Sequence, residues 1–322
     1  MPINLSSALV PAAAFIVGFF VLPLVLSALW VKVVTLATLY GLAAAGIGLV
    51  FSQLGLISLA QIALLGVGGW IALRLNYATG IDFTSLVLIA GLCTAVIGGL
   101  LALPAMRVRG LYLALVTLMA AGGAQILFNA FQFPNGGPGF WGVAQQSAAE
   151  VRRPGVAISD AAYLRYSVVM VTLGFLLIWW HKRNGPGRAW MMIRQSEANA
   201  MAAGIDVIRM KLWAFALAGF LAGVSGALLS GALLQLDARS FMASDGILLF
   251  ALCVVGGVQN WRGALIAGVL FKLVPSLFND WGLSADIALI LFGAALLHAI
   301  TTAPRGIAGQ LDDLFGRKEQ VR

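Results

Sequence analysis

The sequence predicts an all-α fold: a polytopic helical bundle in a membrane, formed as a single transmembrane domain over residues 1–322. Its composition is 61% hydrophobic and 10% charged, whereas soluble domains carry about 25% charged residues. Apolar runs of the length that a membrane helix needs, about 20 residues, recur along the whole chain. The net charge of +8 is scattered at the ends of these runs, so we attribute it to membrane topology and not to nucleic-acid binding.

The apolar runs predict about ten transmembrane helices, with ends accurate to about 2–4 residues. In chain order they are residues 8–29, 33–51, 56–74, 84–105, 110–131, 161–181, 211–236, 245–258, 262–279 and 284–302. The first run lacks a preceding basic region and exceeds a signal-peptide core, so we expect it to remain as a membrane helix. The eighth and ninth runs are short and almost continuous, which favours a tilted, broken or re-entrant segment.

The longest polar stretch, residues 181–211, sets the predicted topology. Its acidic residues are Glu197 and Asp206, and its basic residues are Lys182, Arg183, Arg188, Arg194, Arg209 and Lys211. Because basic loops stay on the cytoplasmic side, residues 182–210 are predicted to form a cytoplasmic loop. Residues 195–204 are rich in alanine and predict a short helix that Gly204 ends in a left-handed conformation. Such a helix offers a docking surface for a soluble partner.

Alternation from this loop places both termini and the tail, residues 303–322, in the cytoplasm. The basic residues then left outside are a minority, namely Lys32, Arg74, Arg152, Arg153, Arg165 and Arg239. The longest outer segment, residues 132–160, is predicted to be a periplasmic loop. It contains a run typical of turns, Asn135, Gly136, Gly137, Pro138 and Gly139. A loop of this length indicates either a functional contact or a plain surface connection.

Uncharged polar residues inside the spans are candidates for a translocation path. They are Ser58 and Gln61 on the third span, and Tyr112, Thr117, Gln125 and Asn129 on the fifth. Such residues either line a path or bond neighbouring helices, and packing is the favoured interpretation. Lys272 is expected to extend to the outer interface, which leaves ion-coupled transport poorly supported. Small residues at Gly219, Gly223, Gly226 and Gly231 predict close packing of the seventh span.

The sequence lacks the motifs of the common catalytic sites. It contains no G-x-x-x-x-G-K-[ST] nucleotide loop, no H-E-x-x-H, no paired cysteine motif and no G-x-S-x-G. Cys93 and Cys253 lie in apolar runs and are expected to act as small buried hydrophobic residues. His181 and His298 lie near inner ends of spans, where interfacial or solvated positions are expected. We therefore predict a protein that is not an enzyme and holds no metal.

Glu197, Ala198, Ala200, Ala203 and Gly204 form the pattern E-A-x-A-x-x-A-G. This pattern resembles the cytoplasmic "EAA" loop with which the permeases of ABC importers contact their ATPase subunits. Four further blocks appear in order: L-G-L-I-S-L-A-Q-I-A-L-L-G-V-G-G-W at 54–70, R-G-L-Y-L-A-L-V-T-L at 109–118, V-V-G-G-V-Q-N-W-R-G at 254–263 and A-P-R-G-I-A-G at 303–309. From about residue 40 onward the chain resembles the branched-chain amino acid permease family, LivM type.

The resemblance implies an ABC importer permease fold in the bacterial inner membrane. It implies transport of branched-chain or related hydrophobic amino acids delivered by a periplasmic amino-acid-binding protein. The expected partners also include a LivH-like second permease and two ATPase subunits of LivG and LivF type. This chain would need no cofactor, because ATP-Mg would bind to the ATPase subunits. Residues 135–139 would contact the binding protein, and the ATPase-docking residues would be Arg188, Arg194, Glu197, Ala198, Ala200, Ala203 and Gly204.

Two features leave alternatives open. Urea and short-amide permeases share these blocks, so the same machine with one of those solutes remains an alternative. Gly122 stands where the family usually has an acidic residue, which is consistent with a different ligand. An alternative of another class is a stand-alone secondary transporter or channel.

Overall fold

Helices form almost all of the structure in residues 5–104, 107–108, 110–130, 151–302 and 306–316, which are the residues described in this computed structural model. In chain order the α-helices are α1 Leu5–Ile16, α2 Leu22–Val25, α3 Ala28–Leu54, α4 Gln61–Thr79, α5 Phe83–Leu101, α6 Leu111–Ala130, α7 Asp160–Arg183, α8 Gly185–Gln195, α9 Glu197–Ala202, α10 Val207–Leu233, α11 Ala243–Gly256, α12 Trp261–Gly268, α13 Val274–Asp280, α14 Ala285–Thr302 and α15 Gly306–Gly316. The described residues contain no strand. The predicted all-α class is therefore confirmed.

The described residues provide eight helical segments that are long and apolar enough to cross a membrane. Two shorter apolar segments, Val10–Val25 and Asp286–Ala299, correspond to the first and last of the predicted spans. The first is not one regular helix, because a π-helical turn at Val17–Val21 separates α1 from α2. The chain is thus a multi-pass membrane protein, with a span count near the predicted ten.

Helix α10 lies at the centre of the bundle, because its glycines let neighbouring backbones approach closely. A Cβ at Gly219 would lie 2.5 Å from the carbonyl oxygen of Thr94 on α5, and one at Gly226 would lie 1.9 Å from that of Leu65 on α4. A Cβ at Gly231 would lie 2.3 Å from the Tyr163 hydroxyl on α7. The predicted close packing of this span is confirmed.

Helix α4 begins inside the bundle and not at its inner surface. Gly55 adopts φ +69 and ends α3, and residues 55–60 then continue without helical structure. The next residue, Gln61, opens α4 and donates hydrogen bonds from Nε2 to the carbonyl oxygens of Ala43 and Ala218, at 3.1 and 3.0 Å. Gln61 is therefore level with the middle of α3, which corrects the predicted start of this span at residue 56.

Helix α11 begins in the same way after α10. The chain reverses at Leu234, a non-glycine residue with φ 65, and returns beside α4 instead of leaving the bundle. Phe241 is buried against Phe128 of α6, with ring centroids 6.1 Å apart. A Cβ at Gly246, in the first turn of α11, would lie 2.4 Å from the carbonyl oxygen of Leu59. Residues 236–246 therefore lie against the bundle.

The two long helices and the helices that follow them form a matched pair. Both α3 and α10 have 27 residues. Each is followed by a short return segment, which includes a 3-10 turn at Ala238–Ser240 after α10, and then by a helix that starts inside the bundle. The starts of α4 and α11 meet where Leu59 approaches Gly246. Discontinuous helices whose N-termini meet in this way are typical of the substrate region of transporters.

The described end of the predicted outer loop, from Val151 onward, is fixed to the bundle. The backbone N–H of Arg152 donates to Oδ1 of Asn76 at 2.8 Å. The Arg153 guanidinium donates to the carbonyl oxygen of Gly231 at 2.7 Å and pairs with Asp160 at 2.8 Å. It therefore satisfies a carbonyl at the C-terminal end of α10. Residues 131–150 lie outside the described part of the chain, and so do the candidate contacts at 135–139.

Candidate functional site

The predicted cytoplasmic loop consists mostly of two short helices, α8 and α9. Sequence reasoning missed α8, although Asn184 at its N-cap position and Pro186 in its first turn are recognisable start signals. Trp190 anchors this helix, because it is fully buried and donates from Nε1 to the carbonyl oxygen of Met210 at 2.8 Å. His181 packs beside it, 6.4 Å between ring centroids. His181 is buried, so the solvated position expected for it is wrong.

The boundaries of α9 follow from its two ends. Ser196 is extended at φ −162, and its hydroxyl accepts the N–H of Asn199 as an N-cap. At the other end Gly204 adopts φ +80, and the N–H of Ile205 donates to the carbonyl oxygen of Ala200 at 3.0 Å. These are the features of a Schellman stop. The predicted Gly204 stop is confirmed, whereas the predicted start at residue 195 is wrong because Ser196 separates α9 from α8.

Two charged residues tie the α8–α9 pair to the long helices. Arg194 donates from Nη1 to the carbonyl oxygen of Ser52, near the C-terminal end of α3. Glu197 contacts the Lys211 ammonium at 3.0 Å, at the start of α10. The Lys211 side chain is only 4% exposed, against 26% for Glu197. Both predicted docking residues therefore make contacts within this chain.

The outward surface of α8 and α9 is formed by residues that those contacts leave exposed. We call this the inner helical surface. Of the predicted docking residues, Glu197 is half-buried and Ala200 is buried, whereas the others are exposed: Arg188, Arg194, Ala198, Ala203 and Gly204. Met201 is 59% exposed and projects from the middle of α9. A protruding apolar side chain ringed by small residues is suited to insertion into a partner's pocket.

Three candidate path residues hold the irregular segments in place. The Thr117 hydroxyl accepts the N–H of Leu59 at 3.0 Å, just before α4. Oε1 of Gln125 accepts the N–H of Ala243 at 3.0 Å, at the start of α11. Gln61 joins α3 to α10 through the two carbonyls described above. A line of polar groups on α6 thus satisfies backbone donors at both helix starts, and such donors need partners inside a membrane protein.

The other candidate path residues are positioned differently. Ser58 is buried but lies in the non-helical segment before α4, so its predicted position within a helical span is wrong. Asn129 is exposed and donates to the carbonyl oxygen of Gln125 at 3.0 Å. Tyr112 is 72% exposed. A Cβ at Gly122 would meet nothing within 4 Å, so an acidic side chain there would face open space. Their part in translocation stays a prediction.

The Thr117 contact leads to the first testable prediction. Thr117→Val keeps the shape of the side chain but leaves the buried N–H of Leu59 without its acceptor. We expect a loss of about 1–3 kcal/mol in the free energy of unfolding, measured as a lower melting temperature in detergent. Thr301→Val is the matched control, because Thr301 is exposed and its hydroxyl donates within its own helix. Equal melting temperatures for the two variants would contradict the role assigned to Thr117.

The two cysteines occupy different environments. Cys253 is fully buried and contacts the carbonyl oxygen of Ala44 at 3.5 Å, as expected for a small core residue. Cys93 is exposed, which corrects its predicted burial. It lies on the same helix as Leu92 and Val96, which are 62% and 66% exposed, so this part of α5 faces away from the bundle core. Within the described residues, no three of His, Cys, Asp and Glu are grouped as metal ligands would be.

Comparison with known proteins gives the family. The family model described as "Branched-chain amino acid transport system / permease component" matches residues 29–300. The chain is 26% identical over 319 residues to the high-affinity branched-chain amino acid transport system permease protein LivM of Escherichia coli (strain K12), covering 90% of this chain and 74% of that protein. It is also 26% identical over 299 residues to LivM of Salmonella typhimurium, covering 86% of this chain and 69% of that protein.

A probable branched-chain amino acid transport permease protein LivH of Methanocaldococcus jannaschii is 29% identical over 154 residues, covering 45% of this chain and 46% of that protein. No solved structure matches the chain. The family match covers most of the sequence and includes both discontinuous helices, α4 and α11, together with the inner helical surface. The chain therefore belongs to the permease-component family of branched-chain amino acid transport systems, and its similarity is to members of the LivM type.

Proposed function

We propose that the chain is the membrane-spanning permease subunit of an ATP-driven importer for branched-chain or related hydrophobic amino acids. The observation that carries this proposal is the α8–α9 pair. It presents an exposed apolar tip at Met201 while Arg194 and Glu197 fix it to the bundle. Such a rigid projection can transmit a displacement, because both of its fixing contacts involve charged groups. The family membership and the E-A-x-A-x-x-A-G pattern support the same assignment.

The contacts also define a route for coupling. Displacement of the α8–α9 pair reaches α3 through the contact of Arg194, on α8, with Ser52. It reaches α10 through the pair of Glu197 and Lys211. Each of these long helices leads directly into one of the two helices that begin inside the bundle. When an ATPase subunit docked on the inner helical surface binds ATP, both discontinuous segments would shift together. The translocation path would then open alternately to the two sides of the membrane.

The proposed assembly places this chain in the bacterial inner membrane with both termini in the cytoplasm. It pairs with a LivH-like permease, binds two ATPase subunits that carry ATP-Mg, and receives substrate from a periplasmic amino-acid-binding protein. The LivM and LivH names of the relatives support a transporter built from several subunits. Residues 135–139 are proposed as the contact for the binding protein.

The second testable prediction concerns the apolar tip. Met201→Glu would add a charge to the surface that the ATPase subunit covers, without removing any contact of the α8–α9 pair. We expect the folded chain to lose ATPase co-purification and ATP-driven leucine uptake by at least about tenfold, since burial of an unpaired charge is costly. Mild-detergent purification with mass spectrometry, followed by uptake in proteoliposomes, measures both.

Gln310→Glu is the control for this experiment, because it adds one exposed negative charge on α15 and leaves α9 unchanged. We expect it to co-purify with its ATPases and to transport at the wild-type rate. Wild-type uptake by Met201→Glu would contradict the docking assignment. Purification of the wild-type chain without ATPases or a second permease would contradict the proposed function itself.

A further inference from the structure

A lysine lies inside the bundle near its middle depth. Lys272 lies in a π-helical turn, Val269–Leu273, between α12 and α13. Its ammonium is 4.7 Å from the ring centroid of Tyr40, which lies near the middle of α3, and 5.0 Å from that of Phe271. The interpretation that Lys272 extends to the outer interface is therefore wrong. A cation at this depth is expensive to maintain, and π-helical turns are often found at functional positions.

An acidic residue lies close to this lysine. Asp245 is in the first turn of α11, and α11 packs directly against the π-helical turn that carries Lys272, which brings the two side chains within electrostatic range of one another. Among the ion pairs of the described residues, none joins Asp245 to Lys272 within 4.0 Å. The two opposite charges are thus near neighbours that do not close on one another. Both side chains are only partly buried, so this chain leaves a part of each uncovered.

The surroundings of the pair favour a small ligand with an apolar side. Asp245 lies at the meeting point of the two discontinuous helices, where Gly246 approaches Leu59. Met242, three residues before Asp245, is 40% exposed. The rings of Tyr40 and Phe271 flank the lysine. A polar site bordered by apolar side chains is what an amphipathic solute requires.

We propose that Asp245 and Lys272 form the intramembrane recognition site for the zwitterionic group of an amino acid. Asp245 receives the ammonium, Lys272 receives the carboxylate, and the exposed Met242 contacts the apolar side chain, while the buried rings of Tyr40 and Phe271 hold the lysine in position. This inference rests on the proposed function and adds a specificity-determining site to it. It also separates the substrate classes, because urea and short amides carry no opposite charges to match the pair.

The test uses the complete transporter purified with its partners. Asp245→Asn and Lys272→Gln each remove one charge at nearly constant size. The rise in the melting temperature of the transporter is measured with each of three added compounds. These are leucine, isoamylamine (which lacks the carboxylate) and 4-methylpentanoate (which lacks the ammonium). We expect wild type to prefer leucine over both. Asp245→Asn should no longer prefer leucine over 4-methylpentanoate. Lys272→Gln should no longer prefer leucine over isoamylamine.

Leucine uptake in proteoliposomes with the binding protein is the second measurement. Each variant should lower uptake by roughly tenfold to a hundredfold, the range expected for one lost hydrogen bond to a charged group. Asp286→Asn is the control, since Asp286 is exposed in the first turn of α14.

The outcomes distinguish this inference from the function on which it rests. If the wild-type complex shows no ATP-driven leucine uptake, the proposed function fails and the site assignment with it. If wild type transports leucine and both variants match Asp286→Asn in uptake and probe preference, the site assignment alone is overturned. It is also overturned if the chain without ATPases takes up leucine with an ion gradient and Asp245→Asn abolishes that flux, because the charges then serve ion coupling.

Discussion

Gly226→Ala is expected to prevent this chain from forming a stable bundle. A Cβ at position 226 would lie 1.9 Å from the carbonyl oxygen of Leu65 and 2.8 Å from the backbone nitrogen of Gly69. Both neighbours are backbone atoms of α4, so no side-chain rotation can relieve the contact. Helices α4 and α10 would have to separate. Overpacking of this kind costs about 3 kcal/mol or more when a backbone must move, which outweighs the gain of about 1 kcal/mol from alanine's better helix propensity.

The measurement is the amount of monodisperse protein extracted in mild detergent, together with its melting temperature. Gly123→Ala is the matched control: a Cβ at Gly123, also within a helix, meets nothing within 4 Å. We expect this control to be as stable as wild type or slightly more so. If Gly226→Ala were recovered and melted like Gly123→Ala, the close approach of α10 to α4 would be disproved.

Glu197→Lys is expected to release α9 from the bundle and abolish coupled uptake. From sequence alone this substitution is predicted to leave the fold intact and only uncouple the ATPase. The structure changes that expectation, because Glu197 contacts Lys211, whose side chain is 4% exposed. Two ammonium groups would then face each other and Lys211 would lose its partner. We expect a cost of about 2–4 kcal/mol, seen as a lower melting temperature and faster proteolysis within residues 196–204.

A charge-swap variant distinguishes loss of the Glu197–Lys211 contact that holds α9 from loss of ATPase docking. The double variant Glu197→Lys with Lys211→Glu restores opposite charges and should recover most of the lost stability. Arg209→Glu reverses the charge in an exposed pair with Asp206, whose side chains are 82% and 46% exposed, and should change stability by less than about 1 kcal/mol. If Glu197→Lys melted like wild type, the contact with Lys211 would not be what fixes α9. If the swap restored stability but not uptake, Glu197 would also contact the ATPase.

The candidate site was only partly visible in the sequence. The pattern at Glu197 to Gly204 located the inner helical surface, because a glycine stop and an alanine-rich turn are local features. The contacts of Arg194 with Ser52 and of Thr117 with Leu59 join residues far apart along the chain, and no local pattern reveals them. No local pattern marks Asp245 either, because the nearby charges at Asp237 and Arg239 are typical of a connecting loop. The chain's reversal at Leu234 places Asp245 inside the bundle.

Local sequence features are sufficient to predict a multi-pass helical membrane protein with a helical element between α7 and α10. They are sufficient because apolar content, the positions of basic residues and the glycine stop of α9 are properties of short stretches. The places where the helices are interrupted follow from tertiary contacts instead. Residues 55–60 are apolar enough to be read as part of a span, and residues 234–242, which include Asp237 and Arg239, are polar enough to be read as a connection. Hydropathy does not report backbone conformation in either case. Their path is set by backbone donors bonded to Thr117 and Gln125 and by glycine contacts between distant helices. Those same long-range contacts bring Asp245 near Lys272.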